Sequence, residues 1–304
     1  MRDMPPQAKA QFEVFTLGQA RAAGWTEQAL RHAIGTGRLI RVRRSVFAVA
    51  ATDLTGPALM RLRLGQRAVA AALTVSRATI SHASAIAVHG LPLLRTPDNP
   101  CITLPPPLRT REAGLHVHRQ PIPAWQLDEA YDFPLTSVAR SCIDFTREAG
   151  LNAGVVAADA ALHAGLCALA DLEAVYATCT GRAGLRCGRQ LFELLDGRSE
   201  SPLESISRLA LAPLRPSPRT QVTLRAPTGQ FLGRVDFYWD ELRVVGEADG
   251  KLKYTGEELW NEKLRQDRLA EHGFIVVRWG WAEANNPRVL QAKVSRALNR
   301  AGRL

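Results

Sequence analysis

The stretch Gly233–Tyr254, GRVDFYWDELRVVGEADGKLKY, constrains the fold more than any other part of the chain. It reads as two strands. Asp236 lies on the first, Glu247 and Asp249 lie on the second, and Lys251 and Lys253 follow. From Val244 to Lys253 the residue types alternate. Val244, Gly246, Ala248, Gly250 and Leu252 share one parity; Val245, Glu247, Asp249, Lys251 and Lys253 share the other. Successive side chains of an extended chain point to opposite faces. A strand that runs through Gly250 therefore gathers two carboxylates and two ammonium groups on one face, with a small, largely apolar face behind. Such a face suits a metal and phosphate site better than a solvated edge.

The flanking sequence supplies the rest of a compact α/β unit. PLESISRLALAPL reads as a helix opening at Pro202, with Ser201 as N-cap and Glu204 in its first turn. TQVTLRAP, GRVDFYW and ELRVVGEADGKLKY read as three strands, EELWNEKLRQDRLAEHG as a helix closed by Gly273, and FIVVRWGW as a fourth strand. A last helix is expected over 287–300. The order is α-β-β-β-α-β.

Charge separates the chain into three parts. Its 304 residues carry a net charge of +10. Residues 1–64 hold ten Lys and Arg against four Asp and Glu, residues 65–197 hold eleven against twelve, and residues 198–304 hold eighteen against thirteen. Two basic ends flank a neutral middle, which points to a polyanion such as double-stranded DNA as partner. With 46% apolar and 22% charged residues, the chain has the composition of a globular protein. It has no apolar run of membrane-spanning length, and MRDMPPQAKAQ lacks the apolar core of a signal peptide. Five cysteines without a C-x-x-C pair argue against a disulfide framework and fit a reducing cytoplasm. The expected organisation is a winged helix-turn-helix over 10–52, a connecting α+β segment over 53–197, and a third domain over 198–304. Together they make a multidomain protein of the α+β / α/β class.

In the first segment, Leu17, Ala20 and Ala23 have helical spacing and Gly24 ends that helix. Thr26 caps a second, TEQALRHAI, that turns Ala29, Leu30, Ala33 and Ile34 inward. Gln28, Arg31 and His32 remain on its outer face. RLIRVRRSVFAVA then reads as a β-wing with Arg43, Arg44 and Ser45 at its tip. The second helix suits a major groove, and Arg38, Arg41, Arg43 and Arg44 suit the phosphates beside it. The middle segment reads as helices over 55–73, 135–148, 152–164 and 169–178, with strands at CITLPPP and GLHVHRQPI. A homodimer contact is one role open to it. His116 and His118 share a strand face, but no third metal ligand lies near them in sequence. His82 and His89 read as packing or hydrogen-bonding residues.

Two family resemblances follow from these residues. The pattern FTLGQARAAGWT…LRHAIGTGRLIRVRRSVFAV resembles the N-terminal domain of AbiEi-type antitoxins. That resemblance implies DNA binding, often autorepression, and a cognate toxin. The C-terminal third resembles the PD-(D/E)XK nuclease core. Asp236 stands at its second strand, Glu247 at its third and Glu204 in its first helix. Asp249 departs from the pattern, occupying the place of the family's lysine. The E-x-D-G form, with Arg265, Asp267, Arg268 and Gly273 through Trp279, is similar to the very-short-patch-repair-endonuclease-like branch.

What the nuclease resemblance implies is hydrolysis of phosphodiesters with Mg²⁺ or Mn²⁺ on hard oxygen ligands. Asp236 and Glu247 are the expected ligands, with Asp249 or Glu204 assisting. Lys253, Lys251 or Lys263 would face the phosphate, and Arg278 would clamp phosphate or pair with Glu204. The alternative is a transcriptional regulator whose nuclease-like fold only binds DNA. A nucleotidyltransferase is disfavoured, because G-S…D-x-D is missing from the sequence.

Overall fold

The computed structural model describes residues 3–110, 113–128, 130–179, 184–250 and 256–302. The chain divides into two compact units, Met1–Glu193 and Leu194–Leu304. Among the described residues the architecture is mixed α+β with three sheets.

The first unit opens with α1 (Gln7–Ala10), β1 (Val14–Thr16), α2 (Leu17–Ala22), α3 (Glu27–Gly35), β2 (Leu39–Arg43) and β3 (Val46–Val49). Thr16 caps α2 in a reciprocal capping box with Gln19, and the Thr26 hydroxyl accepts from the Ala29 N–H at the start of α3. The strands form a sheet in the order β1-β3-β2, antiparallel throughout. Helix, turn, helix and hairpin are compatible with a winged helix. The short β1 has no counterpart in the sequence reading; it tethers the wing to the start of the chain.

α4 (Gly56–Ala72) follows, then β4 (Thr79–Ile80), α5 (His82–Val88), β5 (Cys101–Leu104), β6 (His116–Arg119), β7 (Leu127–Asp128) and β8 (Leu135–Thr136). α6 (Val138–Ala149), α7 (Leu151–His163), α8 (Leu169–Ala177) and α9 (Leu185–Leu194) complete the stretch. The second sheet runs β6-β5-β4-β8-β7. β5 and β6 pair in parallel. The helix expected from 135 begins at Val138, because Leu135 and Thr136 join the sheet beside Ile80 and Ser137 caps the helix. Val14, Val46 and Ala48 share one core with Ala68, Val69, Ile80 and Leu135, so the wing sheet and the middle segment are packed together. All five cysteines are free.

α6 carries a fully buried ion pair. The Arg140 Nε donates to Asp144 Oδ2 at 2.5 Å, and Arg147 donates to Asp144 Oδ1 at 3.0 Å. Arg140 also donates to Gln126, tying α6 to the segment before β7. His82 and His89 behave as expected: His82 is buried beside the Ser81 hydroxyl, and His89 Nε2 meets the Thr136 carbonyl at 2.8 Å.

The second unit contains α10 (Pro202–Leu211), β9 (Arg219–Arg225), β10 (Phe231–Trp239), β11 (Val244–Ala248), α11 (Gly256–Glu271), β12 (Ile275–Trp279), α12 (Trp281–Ala284) and α13 (Pro287–Ala301). The sheet order is β12-β11-β10-β9, parallel only between β11 and β12. Val245 packs with Leu269 of α11 and Phe274 on one face. On the other, the Trp279 indole donates to Ser207 of α10 at 2.7 Å. Gly246 is needed there, because a Cβ would lie 2.5 Å from the Trp279 ring and 3.1 Å from Phe237.

β11 stops at Ala248, short of the strand through Gly250 that the alternation implied. Its pairing runs out on both sides within a few residues. β12 finishes at Trp279, whose carbonyl accepts the last ladder-like bond from Asp249 N–H. On the other side, pairing with β10 is registered only up to Phe237 opposite Gly246. The shared charged face therefore does not extend past Ala248 as strand geometry. Lys251 and Lys253 lie outside the described residues.

Breaking the Arg140–Asp144 pair leaves a buried guanidinium uncompensated. Asp144→Ala is expected to destabilise the protein by about 3–5 kcal/mol, measured by urea unfolding followed by circular dichroism. A change below about 1 kcal/mol, the range of an exposed pair, would contradict this account.

Candidate functional site

The separation of β10 from β11 opens a cleft of about 260 Å³, lined by Arg234, Asp236, Glu247, Ala248, Asp249, Arg265 and Arg278. Where the backbone ladder ends, the Asp236 carboxylate replaces it: its Oδ2 accepts the Ala248 N–H at 2.8 Å. Glu247 sits one residue back, in register with Arg278 of β12. Its Oε2 accepts from Arg265 Nη2 at 2.5 Å and from Arg278 Nη2 at 3.3 Å. Its Oε1 is buried and has no hydrogen-bond partner.

Glu204 is drawn toward this group without lining the cleft. Its Oε2 accepts from the Glu200 N–H at 2.9 Å and from Gln221 Nε2 at 2.7 Å. The same Gln221 nitrogen lies 3.4 Å from Asp236 Oδ1. Gln221 thus bridges two carboxylates, and it does so from a left-handed backbone with φ +52° inside β9. A non-glycine residue held there is costly and marks a position fixed by its surroundings. Nothing in the residue pattern around TQVTLRAP signals this role.

Arg278 pairs with Glu247, and the Gln266 amide, turned so that its oxygen faces the guanidinium, accepts from Arg278 Nη2 at 2.8 Å. Arg278 was expected to clamp phosphate or to pair with Glu204, and Glu247 takes Glu204's place as its carboxylate partner. Among the described residues, the cations that line the cleft are arginines. Lys263 is exposed on α11 and does not line it. Arginine cannot serve as a proton acceptor, but its planar fork suits a phosphate.

Burial pushes Asp236 up to about 6. The Ala248 N–H opposes that rise, Glu204 and Glu247 add to it, and Arg265 again opposes it. Among the described residues, the acidic set Glu204, Asp236, Glu247 and Asp249 does not bring three ligand atoms within 4.8 Å of one another. A hard divalent cation does not require that, since Mg²⁺ is commonly held by one or two carboxylates with water and phosphate completing its shell. Asp236 and the unpartnered Glu247 Oε1 fit that donor set.

In the first unit, Gln28, Arg31 and His32 lie exposed on α3, Arg41 and Arg44 are exposed on the wing, and Arg38 and Arg43 are half-buried. A cleft beside the wing tip is lined by Arg43, Arg44 and Ser45 together with Arg67 of α4. A second brings Arg41 beside Arg63 and Arg67. Sequence reasoning missed Arg63 and Arg67, because helix α4 follows the wing in sequence and only its packing returns it to the wing's side.

Residues 7–50 match the family described as transcriptional regulators, the AbiEi antitoxins. The AbiEi match covers α1 through the wing and ends before α4. Over 281 residues the chain is 29% identical to two uncharacterized proteins of Mycobacterium tuberculosis, MT2308 of strain CDC 1551 / Oshkosh and Rv2248 of strain ATCC 25618 / H37Rv. That alignment covers 91% of this chain and 98% of each relative. The crystal structure of the RV2827C protein from the same species aligns over 75% of this chain and 91% of its own, at 18% identity and a TM-score of 0.34. That score is too low to speak for a common fold. The AbiEi-matched module is therefore joined to a C-terminal unit outside the family match. No helix among the described residues is long and apolar enough to cross a membrane.

The raised Asp236 has a consequence for stability. A folded-state value above the unfolded one means that the group's stabilising contribution is present below about 4 and is lost as pH rises through about 6. Asp236→Asn removes that loss. In EDTA at pH 7.5 the variant is expected to be more stable than the parent by roughly 2 kcal/mol, and the gap should close near pH 4. Thermal melts at the two pH values read this directly; a variant less stable at pH 7.5 would contradict it.

Proposed function

We propose that the chain is a DNA-binding regulator of the AbiEi antitoxin type whose C-terminal unit is a metal-dependent phosphodiesterase of the PD-(D/E)XK kind. The observation that carries this reading is the cleft where half-buried Asp236 and buried Glu247, one oxygen unpartnered, meet three arginines. The α-β-β-β-α-β order and the family resemblance of its motifs support it. Mg²⁺ or Mn²⁺ held by Asp236 and Glu247, with Asp249 at the rim, would activate water and neutralise charge on the phosphoryl group.

The chain's own residues do the remainder. Arg234, Arg265 and Arg278 bind the phosphate and stabilise its added negative charge. Gln221 and the Ala248 N–H hold Asp236 in place from opposite sides. α3 and the wing bind the duplex: Gln28, Arg31 and His32 at base edges, and Arg38, Arg41, Arg43 and Arg44 at phosphates. A cognate toxin is the protein partner that the AbiEi match suggests.

A second reading has its own observation. Arg265 holds Glu247 Oε2 at 2.5 Å, as it would in a fold that binds DNA and no longer cuts it. Supercoiled plasmid incubated with Mg²⁺ or Mn²⁺ separates the two readings. Nicking by the parent protein, lost by at least about 100-fold in both Asp236→Asn and Glu247→Gln, is expected of the phosphodiesterase. No nicking in either metal, or equal nicking by parent and variants, would leave the regulator alone.

DNA gripping is tested apart from cleavage. In EDTA, Arg41→Ala and Arg44→Ala are each expected to reduce the slope of log K against log salt by about 1. Unchanged slopes in both would remove the wing from the interface.

A further inference from the structure

A second cluster of metal-ligating side chains lies in the first unit, far in sequence from the carboxylate cleft. Cys101 begins β5 and stands in register with His116, which begins the parallel strand β6. His118 follows two residues along β6, so both imidazoles leave the same face. Glu148, in the last turn of α6, reaches the same point. One ligand atom from each of Cys101, His116, His118 and Glu148 can be chosen so that all lie within 4.8 Å of one another.

The individual distances are those of a collapsed coordination shell. Cys101 Sγ is 3.9 Å from His116 Nδ1, His116 Nδ1 is 2.9 Å from Glu148 Oε1, and His118 Nε2 is 3.7 Å from the same oxygen. A tetrahedral ion with bonds of roughly 2.0–2.3 Å sets ligand–ligand edges of roughly 3.3–3.8 Å, which the observed distances bracket. Three further features belong to a built site. His118 Nε2 is buried and makes no hydrogen bond. The His118 ring is fixed from behind by His82, stacked at 3.5 Å between centroids and 10° between planes. His82 is in turn set by Ser81, which accepts from Thr103 at 2.8 Å. Such outer contacts orient ligands before an ion arrives.

We propose that Cys101, His116, His118 and Glu148 form a tetrahedral Zn²⁺ site that fastens the end of α6 to strands β5 and β6. One sulfur, two imidazole nitrogens and one carboxylate oxygen suit a borderline ion such as Zn²⁺ or Co²⁺ and disfavour Mg²⁺. Four protein ligands fill the shell, so the role is structural. Cys101 and Glu148 also line a cavity of about 520 Å³ with Arg95, Asp98 and Asn152. That cavity gives the ion a way in. This site is independent of the C-terminal cleft in residues and in metal preference.

Co²⁺ titration of the full-length, metal-stripped protein tests it. The expected result is intense tetrahedral d–d bands and a thiolate-to-Co²⁺ charge-transfer band saturating at about one equivalent. Zn²⁺ should bleach both. Cys101→Ser should abolish the charge-transfer band while far-ultraviolet circular dichroism stays unchanged. His116→Gln, at a mostly exposed position, should weaken Co²⁺ binding more than about tenfold. Asp236→Asn should leave the spectrum intact, so failure of the phosphodiesterase reading would not touch this one. A weak octahedral spectrum, or a charge-transfer band that survives Cys101→Ser, would overturn the proposal.

Discussion

Burial of the Glu247 carboxylate is the constraint on which the C-terminal unit depends. Removing a charge from water costs several kcal/mol unless partners replace the solvent. Glu247 is only 8% exposed, and the fold answers that cost on one oxygen alone. Arg265 comes from α11 and Arg278 from β12, both to Oε2. The arrangement requires β11 to lie between β10 and β12, α11 to cover one face, and Gly246 to admit the Trp279 ring on the other. Oε1 is left without a partner, and Asp236 beside it is held above its usual range by the same burial. An aspartate that resists ionisation, beside a glutamate oxygen with no partner, gains from a cation.

Much of this was legible in the residues. Ser201 and Thr26 cap the helices that their positions implied, and hydrophobic spacing placed α3, α10, α11 and α13 to within a few residues. Asp236, Glu247 and Asp249 do line one cleft. The alternation misled at its far end. Strand length is set by neighbours, and β11 loses β10 after Gly246 and β12 after the Asp249 N–H, whatever the parity of the residues that follow. Lys251 and Lys253 lie outside the described residues, and among the described ones packing supplies Arg234 and Arg265 from elements on either side. Gln221 was invisible because its role rests on a left-handed backbone that no local pattern announces.

The Cys101–Glu148 cluster was hidden for a different reason. His116 and His118 advertised a shared face, but their companions lie on β5 and at the end of α6. Parallel pairing of β5 with β6 brings Cys101 alongside, and α6 brings Glu148. Both are products of tertiary structure. The same holds for Arg63 and Arg67, which flank the wing through the packing of α4. In each case the chemistry-bearing residue type was readable and its partner was not.

The proposed phosphodiesterase requires that the C-terminal cleft take a metal. Crystals of the full-length protein soaked in Mn²⁺ and measured for anomalous scattering address that point most directly. A peak between Asp236 and Glu247 Oε1, with Arg265 retained or displaced on Oε2, is the expected result. No anomalous density at those residues, with Glu247 still held by Arg265 and Arg278, would contradict the account.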